Sequence, residues 1–334
     1  MLDAPITIPV VFVHGMLSGL RRRGESCDRF LEAADIPTSL LDDPGARITA
    51  AQYVALFKSV IDLRKDECLG LLSRPLKPGS FALVVRAAAT APDLEVAIRR
   101  LAKTFQVLQD DVVIEMPHRN RLVGLALRFQ NPDDTPIFLH ELLLRVFWQL
   151  AAWLAGGKLP PASFDFAFDV PEHAAQYSAI FPASHHFRQS RTTLWFDETW
   201  LSSPVRRDRA ALREFLADAE SRMVIPQQSS NIVSARVCAY LSRTQPEWPD
   251  LTVAASAMNM SVATLQRRLA VEGTSFQALK DELRRDIAIM RLNTTNTTLA
   301  QLAEELGFTD SAAFQRAFKR WVGNAPGAYR RKDA

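Results

Sequence analysis

The chain has 334 residues, 48% of them hydrophobic and 23% charged, a balance that fits packed cores rather than a disordered or membrane protein. At ~100–200 residues per domain, this length predicts two domains. The net charge is only +3, but residues 231–334 carry 14 Lys and Arg against 10 Asp and Glu, so the positive excess lies in the C-terminal third and permits nucleic-acid binding without requiring it.

The first apolar stretch, residues 6–20, contains His14 and is followed rather than preceded by Arg21-Arg22-Arg23, the reverse of a secretory signal, so neither export nor a membrane span is expected. Within it Pro9-Val10-Val11-Phe12-Val13-His14-Gly15 has the pattern of the strand and His-Gly turn of an α/β-hydrolase. That chemistry needs a Gly-x-Ser-x-Gly nucleophile elbow, and the chain has none. The segment is read as the entry to a first helix, and no catalytic residue is assigned. Residues 93–108 place Leu94, Ala97, Ile98, Leu101, Phe105 and Leu108 at helical spacing, and residues 137–154 form a second, very apolar helix. Strands are predicted at 111–115 and 122–129 around the turn Pro117-His118-Arg119-Asn120, and again at 164–168 and 192–196. In the second helix Phe138, Phe147, Trp148 and Trp153, with Arg145, either line a ligand cavity or fill the core, and core packing is the preferred reading. His185-His186 is assigned to packing or surface, because adjacent side chains point apart and no further ligand pattern joins them. Cys27, Cys68 and Cys238 are far apart and contain no Cys-x-x-Cys pair, which suggests neither disulfides nor a thiolate metal site and fits a reducing cytoplasm. No metal and no cofactor is expected.

The run Val224-Ile225-Pro226-Gln227-Gln228-Ser229-Ser230 reads as a linker. It divides an α+β N-terminal sensor domain (1–224) from an all-α C-terminal domain (232–334), with the linker at 225–231.

The second domain contains an internal repeat. Leu265-Gln266-Arg267-Arg268-Leu269 and Phe314-Gln315-Arg316-Ala317-Phe318 each put large apolar residues at i and i+4, on one helix face, with Gln-Arg between them. Each follows a short helix and a tight turn, residues 251–258 before Asn259-Met260-Ser261 and residues 299–306 before Gly307-Phe308-Thr309-Asp310. Asn and Gly tolerate the left-handed backbone that ends a helix. Ala255 and Ala303, each four residues earlier, leave room for a crossing helix, and Ser261 and Asp310 are N-cap residues. One such helix would be only an amphipathic helix with a solvated face; two with matching turn, cap, small residue and Gln-Arg predict a tandem helix-turn-helix. Phe276, Leu279, Leu283, Ile287 and Met290 predict one long helix joining the units. Two recognition helices on one face of a duplex enter major grooves ~34 Å apart.

At Ser261-Val262-Ala263-Thr264-Leu265-Gln266-Arg267-Arg268-Leu269, Glu272-Gly273-Thr274-Ser275-Phe276, Leu306-Gly307-Phe308 and Gly323-Asn324-Ala325-Pro326-Gly327-Ala328-Tyr329-Arg330, the chain resembles the AraC/XylS family of transcription regulators. The resemblance spans residues 234–331 and implies base contacts from Ala263, Gln266 and Arg267 in the first unit and from Ala312, Ala313 and Arg316 in the second, with Ser311, Gln315 and Lys319 on phosphates. Asn259 stands where the family usually has Gly. Residues 1–222 resemble the effector-binding domain of the subgroup related to ornithine-utilisation regulators, through Leu40-Leu41-Asp42-Asp43-Pro44-Gly45-Ala46-Arg47-Ile48, the helix at 94–108 and Trp195-Phe196-Asp197. That domain implies ligand sensing and self-association rather than a reaction.

The expected function is sequence-specific regulation of transcription, as a ligand-responsive activator that is not an enzyme. Its expected partners are double-stranded DNA, a small organic acid or amino-acid derivative, RNA polymerase and a second copy of the chain. The alternatives are an enzyme with an appended helix-turn-helix domain, for which no convergent catalytic set is found, and a nucleoid-type binder, which needs no sensing domain.

Overall fold

The computed structural model describes residues 6–225 and 233–330. The chain folds as two units that do not follow chain order: residues 14–30 and 54–225 form an α+β unit, while residues 6–13, Leu31–Tyr53 and 233–330 form a mainly helical one. The linker expected at 225–231 lies, from residue 226 on, outside the described residues.

In the α+β unit the helix Leu94–Leu108 is started by Asp93, whose side chain accepts the Val96 N–H at 2.9 Å, and it buries Leu94, Ala97, Ile98, Leu101 and Phe105. The helix Ile137–Leu154 is long and apolar enough to cross a membrane by length and composition, yet 72% of it is buried inside the protein, as a central core helix is. The sheet is ordered Val112–Glu115, Leu122–Phe129, Thr192–Asp197, Ser163–Asp165, Ser184–His186. Every pairing along it is antiparallel except the last, which is parallel. Leu122–Phe129 is buried along most of its length, because strands cover it on both edges and helices cover its face. The expected turn 117–120 contains a two-residue strand, His118–Arg119, paired back on Leu122–Val123, and Asn120 has a left-handed φ of 56°.

The strand expected at 164–168 is instead Ser163–Asp165. Beyond it the regular ladder ends, although the Phe166 N–H still donates to the His186 carbonyl at 2.8 Å and the Gln189 N–H to the Phe166 carbonyl at 2.9 Å, and Phe166 enters an aromatic cluster, 5.1 Å from Tyr177 and 5.3 Å from Phe181 between ring centres. The alternation through Phe168 outlasts the regular strand, with irregular backbone bonds to residues 186–189 in place of a continued register. The hydrolase-like stretch starts as a strand, Thr7–Pro9, and becomes the helix Val10–Arg22. Gly15 lies inside that helix, where an added Cβ would stand 2.5 Å from the Phe138 ring; the glycine permits close packing rather than forming an oxyanion turn.

The helical unit is built on the helix Phe276–Thr294, which buries Phe276, Leu279, Leu283, Ile287, Ala288, Ile289 and Leu292. Helix Val233–Arg243 packs on it, as does the antiparallel pair Thr7–Pro9 and Arg47–Thr49. Polar contacts bind these N-terminal stretches: Thr7 Oγ1 donates to Asp286 at 2.6 Å, Gln52 Nε2 to Asn293 at 3.1 Å, Asn324 Nδ2 to Asp43 at 2.6 Å, and the Arg47 N–H to the Tyr329 hydroxyl at 3.2 Å. Residues 6–13 and 31–53, read from sequence as part of the N-terminal domain, thus cluster with the C-terminal helices. Trp248 forms a second staple. Its Nε1 donates to the Glu305 carbonyl at 2.9 Å, Lys280 donates to the Trp248 carbonyl, and the Arg284 guanidinium lies 4.8 Å over its ring.

Two stability predictions follow from this packing. His140 is 2% exposed, its Nδ1 stands 2.7 Å from the Thr192 hydroxyl, and burial pushes its pKa from 6.5 down to about 4. The unfolded chain therefore takes up a proton that the folded unit refuses. This contribution to stability is complete above about pH 6.5 and is lost toward pH 4, at up to about 1.4 kcal/mol per pH unit. His140→Gln is expected to flatten that slope in urea unfolding measured across the window; an unchanged slope would assign it to other groups. Gly307 has φ +69°, and an added Cβ would lie 2.7 Å from Trp248 Cδ1. Gly307→Ala is expected to cost about 1–3 kcal/mol, whereas Asn259→Gly, at φ 56°, stays within about 0.5 kcal/mol because glycine adopts that backbone freely. Denaturant midpoints of the two variants check this, and equal losses would contradict it.

Candidate nucleic-acid interface

Each helix-turn-helix unit is assembled by local chemistry. In the first, Leu251–Ala257 is capped by Asp250, whose side chain accepts the Val253 N–H at 2.9 Å. Asn259 makes the left-handed turn, and Ser261 caps Val262–Val271 by accepting the Thr264 N–H at 3.2 Å. Glu272 closes the unit by accepting the N–H groups of Val233 and Ser234, both at 2.8 Å. In the second, Thr298 and Gln301 form a reciprocal capping box at the start of Leu299–Glu305. Gly307 makes the turn, and Asp310 caps Ser311–Val322 by accepting the Ala313 N–H at 2.7 Å. That N–H, the N–H of Ala312 and the nearby Arg316 charge hold the Asp310 carboxyl below the usual carboxylate range. Ala255 and Ala303 are each 1% exposed, so the second helix of each unit crosses its first closely.

The apolar pairs Leu265 with Leu269 and Phe314 with Phe318 are fully buried. The opposite faces are open: Ala263, Gln266, Arg267, Ala312, Gln315, Arg316 and Lys319 are exposed, and Ser311 and Ala313 are half-buried. Among the described residues Gln266, Arg267, Gln315 and Lys319 make no hydrogen bond or ion pair with the protein. Long polar groups without internal partners are available to base edges and phosphates. The second unit is tied to the long helix by Arg291, whose Nε and a terminal nitrogen reach the two Glu305 oxygens at 3.0 and 2.6 Å. Neither this pair nor Trp248 was picked out from the sequence. Lys280 and Arg284, one turn apart on the long helix, were the available signal.

The other candidates separate. Of Phe138, Phe147, Trp148 and Trp153, only Phe147 lines a cavity of about 310 Å³ in the α+β unit. Phe138 packs on Gly15, Trp148 donates to the Leu159 carbonyl at 2.9 Å, and Trp153 stacks on Phe215 at 4.1 Å. Arg145 is 7% exposed and does not line that cavity. His185 Nε2 lies 2.6 Å from the Phe181 carbonyl and His186 Nδ1 2.9 Å from Asp165. The two rings thus point to different partners.

The model described as the arabinose-binding domain of AraC transcription regulator, N-term, matches residues 24–205, and a helix-turn-helix domain model matches residues 254–332. The ornithine utilization regulator of Pseudomonas aeruginosa is 26% identical over 325 residues, covering 97% of this chain and 96% of that protein. An uncharacterised HTH-type transcriptional regulator of Mycobacterium tuberculosis is 25% identical over 339 residues, covering 98% of each. The crystal structure of the transcriptional regulator CdpR from Pseudomonas aeruginosa is 19% identical, covers 96% of this chain and 98% of that one, and superposes with a TM-score of 0.35. With two matched domains of this kind on one chain, the protein belongs to the AraC family of transcription regulators and is a DNA-binding regulator with an N-terminal ligand-binding domain.

Proposed function

We propose that the chain is a cytoplasmic, homodimeric transcriptional activator that catalyses no reaction and changes its hold on DNA when a small organic acid or amino-acid derivative binds its α+β unit. In this reading Ala263, Gln266 and Arg267 read bases from the first recognition helix and Ala312, Ala313 and Arg316 from the second. Ser311, Gln315 and Lys319 hold phosphates, and RNA polymerase is the partner at the promoter. The carrying observation is the exposed Gln-Arg pair that each recognition helix presents behind a fully buried apolar pair. Glutamine pairs bidentately with adenine and arginine with guanine, whereas an alanine methyl offers only apolar contact to a thymine methyl. With Gln315 given to a phosphate rather than a base, the first unit is the main reader and the second mainly a clamp. The relative named for ornithine utilization supports an amino-acid derivative as one effector class.

The test is a salt titration of wild type, Gln266→Ala, Arg267→Ala and Lys319→Ala on a duplex selected from random sequence and on an unrelated duplex. Loss of Gln266 or Arg267 is expected to cost ~1–3 kcal/mol on the selected duplex and little on the other. Loss of Lys319 is expected to weaken both duplexes alike and to shallow the salt slope by about one unit, because a phosphate contact releases counterions whatever the sequence. If Lys319→Ala proves the more sequence-selective defect, reader and clamp are assigned backwards.

A further inference from the structure

The cavity of about 310 Å³ is walled by Phe57, Phe81, Phe105 and Phe147, with aliphatic side chains such as Leu143 and Met223 between them. Two charged side chains reach its lining, Glu67 and Arg86. Glu67 is committed to the fold: its two oxygens accept the N–H groups of Gly79 and Phe81 at 2.6 and 2.7 Å. It thereby caps the helix Ser80–Ala89 from a distance, because Gly79, at φ 95°, has no side chain to do so. Arg86, on the exposed side of that helix, makes no hydrogen bond or ion pair among the described residues. The lining thus combines an apolar, ring-rich interior with one uncommitted positive charge at its solvent-facing side.

Size narrows the class. An apolar cavity of about 150 Å³ holds a benzene ring, so this one takes a body of roughly ten to fifteen non-hydrogen atoms. Phenylalanine walls suit a flat ring held edge to face. A diamino acid suits this lining less well, since its two ammonium groups would need acceptors and the one carboxylate of the lining, Glu67, already accepts two backbone N–H groups.

We propose that this cavity is the effector site and that its ligand is an amphipathic monoanion, an aryl- or alkyl-carboxylate whose apolar body lies among the phenylalanines and whose carboxylate meets Arg86. The proposal rests on the reading of the α+β unit as a small-molecule sensor and specifies where and what it senses. It also supplies a route for the response. Phe57 and Ile61 of the lining belong to the helix Ala50–Arg64, within which the chain passes from the helical unit to the α+β unit, and Gln52 on its first turn donates to Asn293 of the long DNA-unit helix at 3.1 Å. Met223, also in the lining, lies in the final described helix before residue 226.

The experiment uses the full chain, with phenylbutanoate, phenylbutanol, phenylbutylamine and ornithine as probes. Calorimetry and thermal shift are read for wild type, Arg86→Gln and two cavity-filling variants on different helices, Val146→Phe and Ala82→Phe. Melting of each unliganded variant reports whether it folds. Phenylbutanoate is expected to bind wild type best, roughly fivefold better than the alcohol, the scale of one exposed ion pair. Arg86→Gln is expected to remove that preference while leaving the alcohol unchanged, and either filled variant that folds is expected to bind neither. Phenylbutanoate binding that survives in a folded filled variant overturns the location. A carboxylate preference that persists without Arg86, tighter binding of ornithine or the amine, or no binding of the carboxylate overturns the ligand class. A broad metabolite panel, read by thermal shift and by affinity for the selected duplex, judges sensing separately. A response to some other compound that the filled variants keep leaves the sensor reading standing without this site, and no response to any compound removes both.

Discussion

The buried face of Phe276–Thr294 is the constraint on which the DNA-binding geometry depends. A free helix of this length is marginal in water and is held by the apolar surface it buries. Here that surface is Phe276, Leu279, Leu283, Ile287, Ile289 and Leu292. Each recognition helix is anchored within its own unit by one apolar pair, so the spacing between the two is set by what both units share. The first unit leans on the long helix through Val233–Arg243. The second is tied to it by Arg291 and Glu305, and Trp248 bridges from Lys280 and Arg284 to the Glu305 carbonyl. A duplex that presents its grooves at one fixed spacing selects such a rigid frame over two independently mobile readers.

The same helix receives the N-terminal stretches through a compact polar cluster. Arg47 donates to the Thr7 hydroxyl and carbonyl at 2.7 and 2.8 Å, Thr7 donates to Asp286, and Asp286 also accepts from Arg285 at 2.8 Å. Burial, followed by repulsion from Arg285, lowers the Arg47 pKa to about 10, so the guanidinium stays charged at neutral pH and must keep its acceptors. Buried charged groups of this kind are costly to separate from their partners. A fragment that starts at the linker keeps Asp286 and Tyr329 but lacks Thr7 and Arg47, so the C-terminal helices alone are not the whole folding unit of the DNA-binding end.

What was legible in the sequence is what repeats locally. The left-handed turns at Asn259 and Gly307, the caps Ser261 and Asp310, the small Ala255 and Ala303, the strand Leu122–Phe129 and the helix Ile137–Leu154 are each written within a few consecutive residues, and the structure has them there. What was not legible depends on distant partners. Thr7–Pro9 and Arg47–Thr49 are three-residue strands, too short to carry a period, and exist because each completes the other. The cavity wall draws Phe57, Phe105, Phe147 and Met223 from four separate helices, and each by itself looks like ordinary core. Phe166 and Phe168 depart for the opposite reason: alternation is a local signal and places Phe164 in its strand, yet beyond Asp165 the backbone pairing turns irregular and the rings of Tyr177 and Phe181 set where Phe166 packs.

The two units show how stability and recognition are kept on separate residues. Their scaffolds are closely alike, with a left-handed turn, an oxygen cap, a buried small residue and a buried i, i+4 pair. Their exposed faces share Ala, Gln and Arg at equivalent positions (263, 266 and 267 against 312, 315 and 316) but differ around them, where Val262, Thr264, Arg268 and Ala270 correspond to Ser311, Ala313, Ala317 and Lys319. Surface side chains that touch nothing in the protein contribute little to folding, while a bidentate side-chain contact to a base is worth about 1–3 kcal/mol of discrimination. On the proposed reading a change on the exposed face alters target choice at small cost in stability, and a change at Leu265, Leu269, Phe314 or Phe318 does the reverse. On the proposed reading this separation is what lets one rigid frame hold a selective helix and a largely sequence-indifferent one side by side. The selective helix sets the register on the duplex, and the other adds affinity wherever that register puts it.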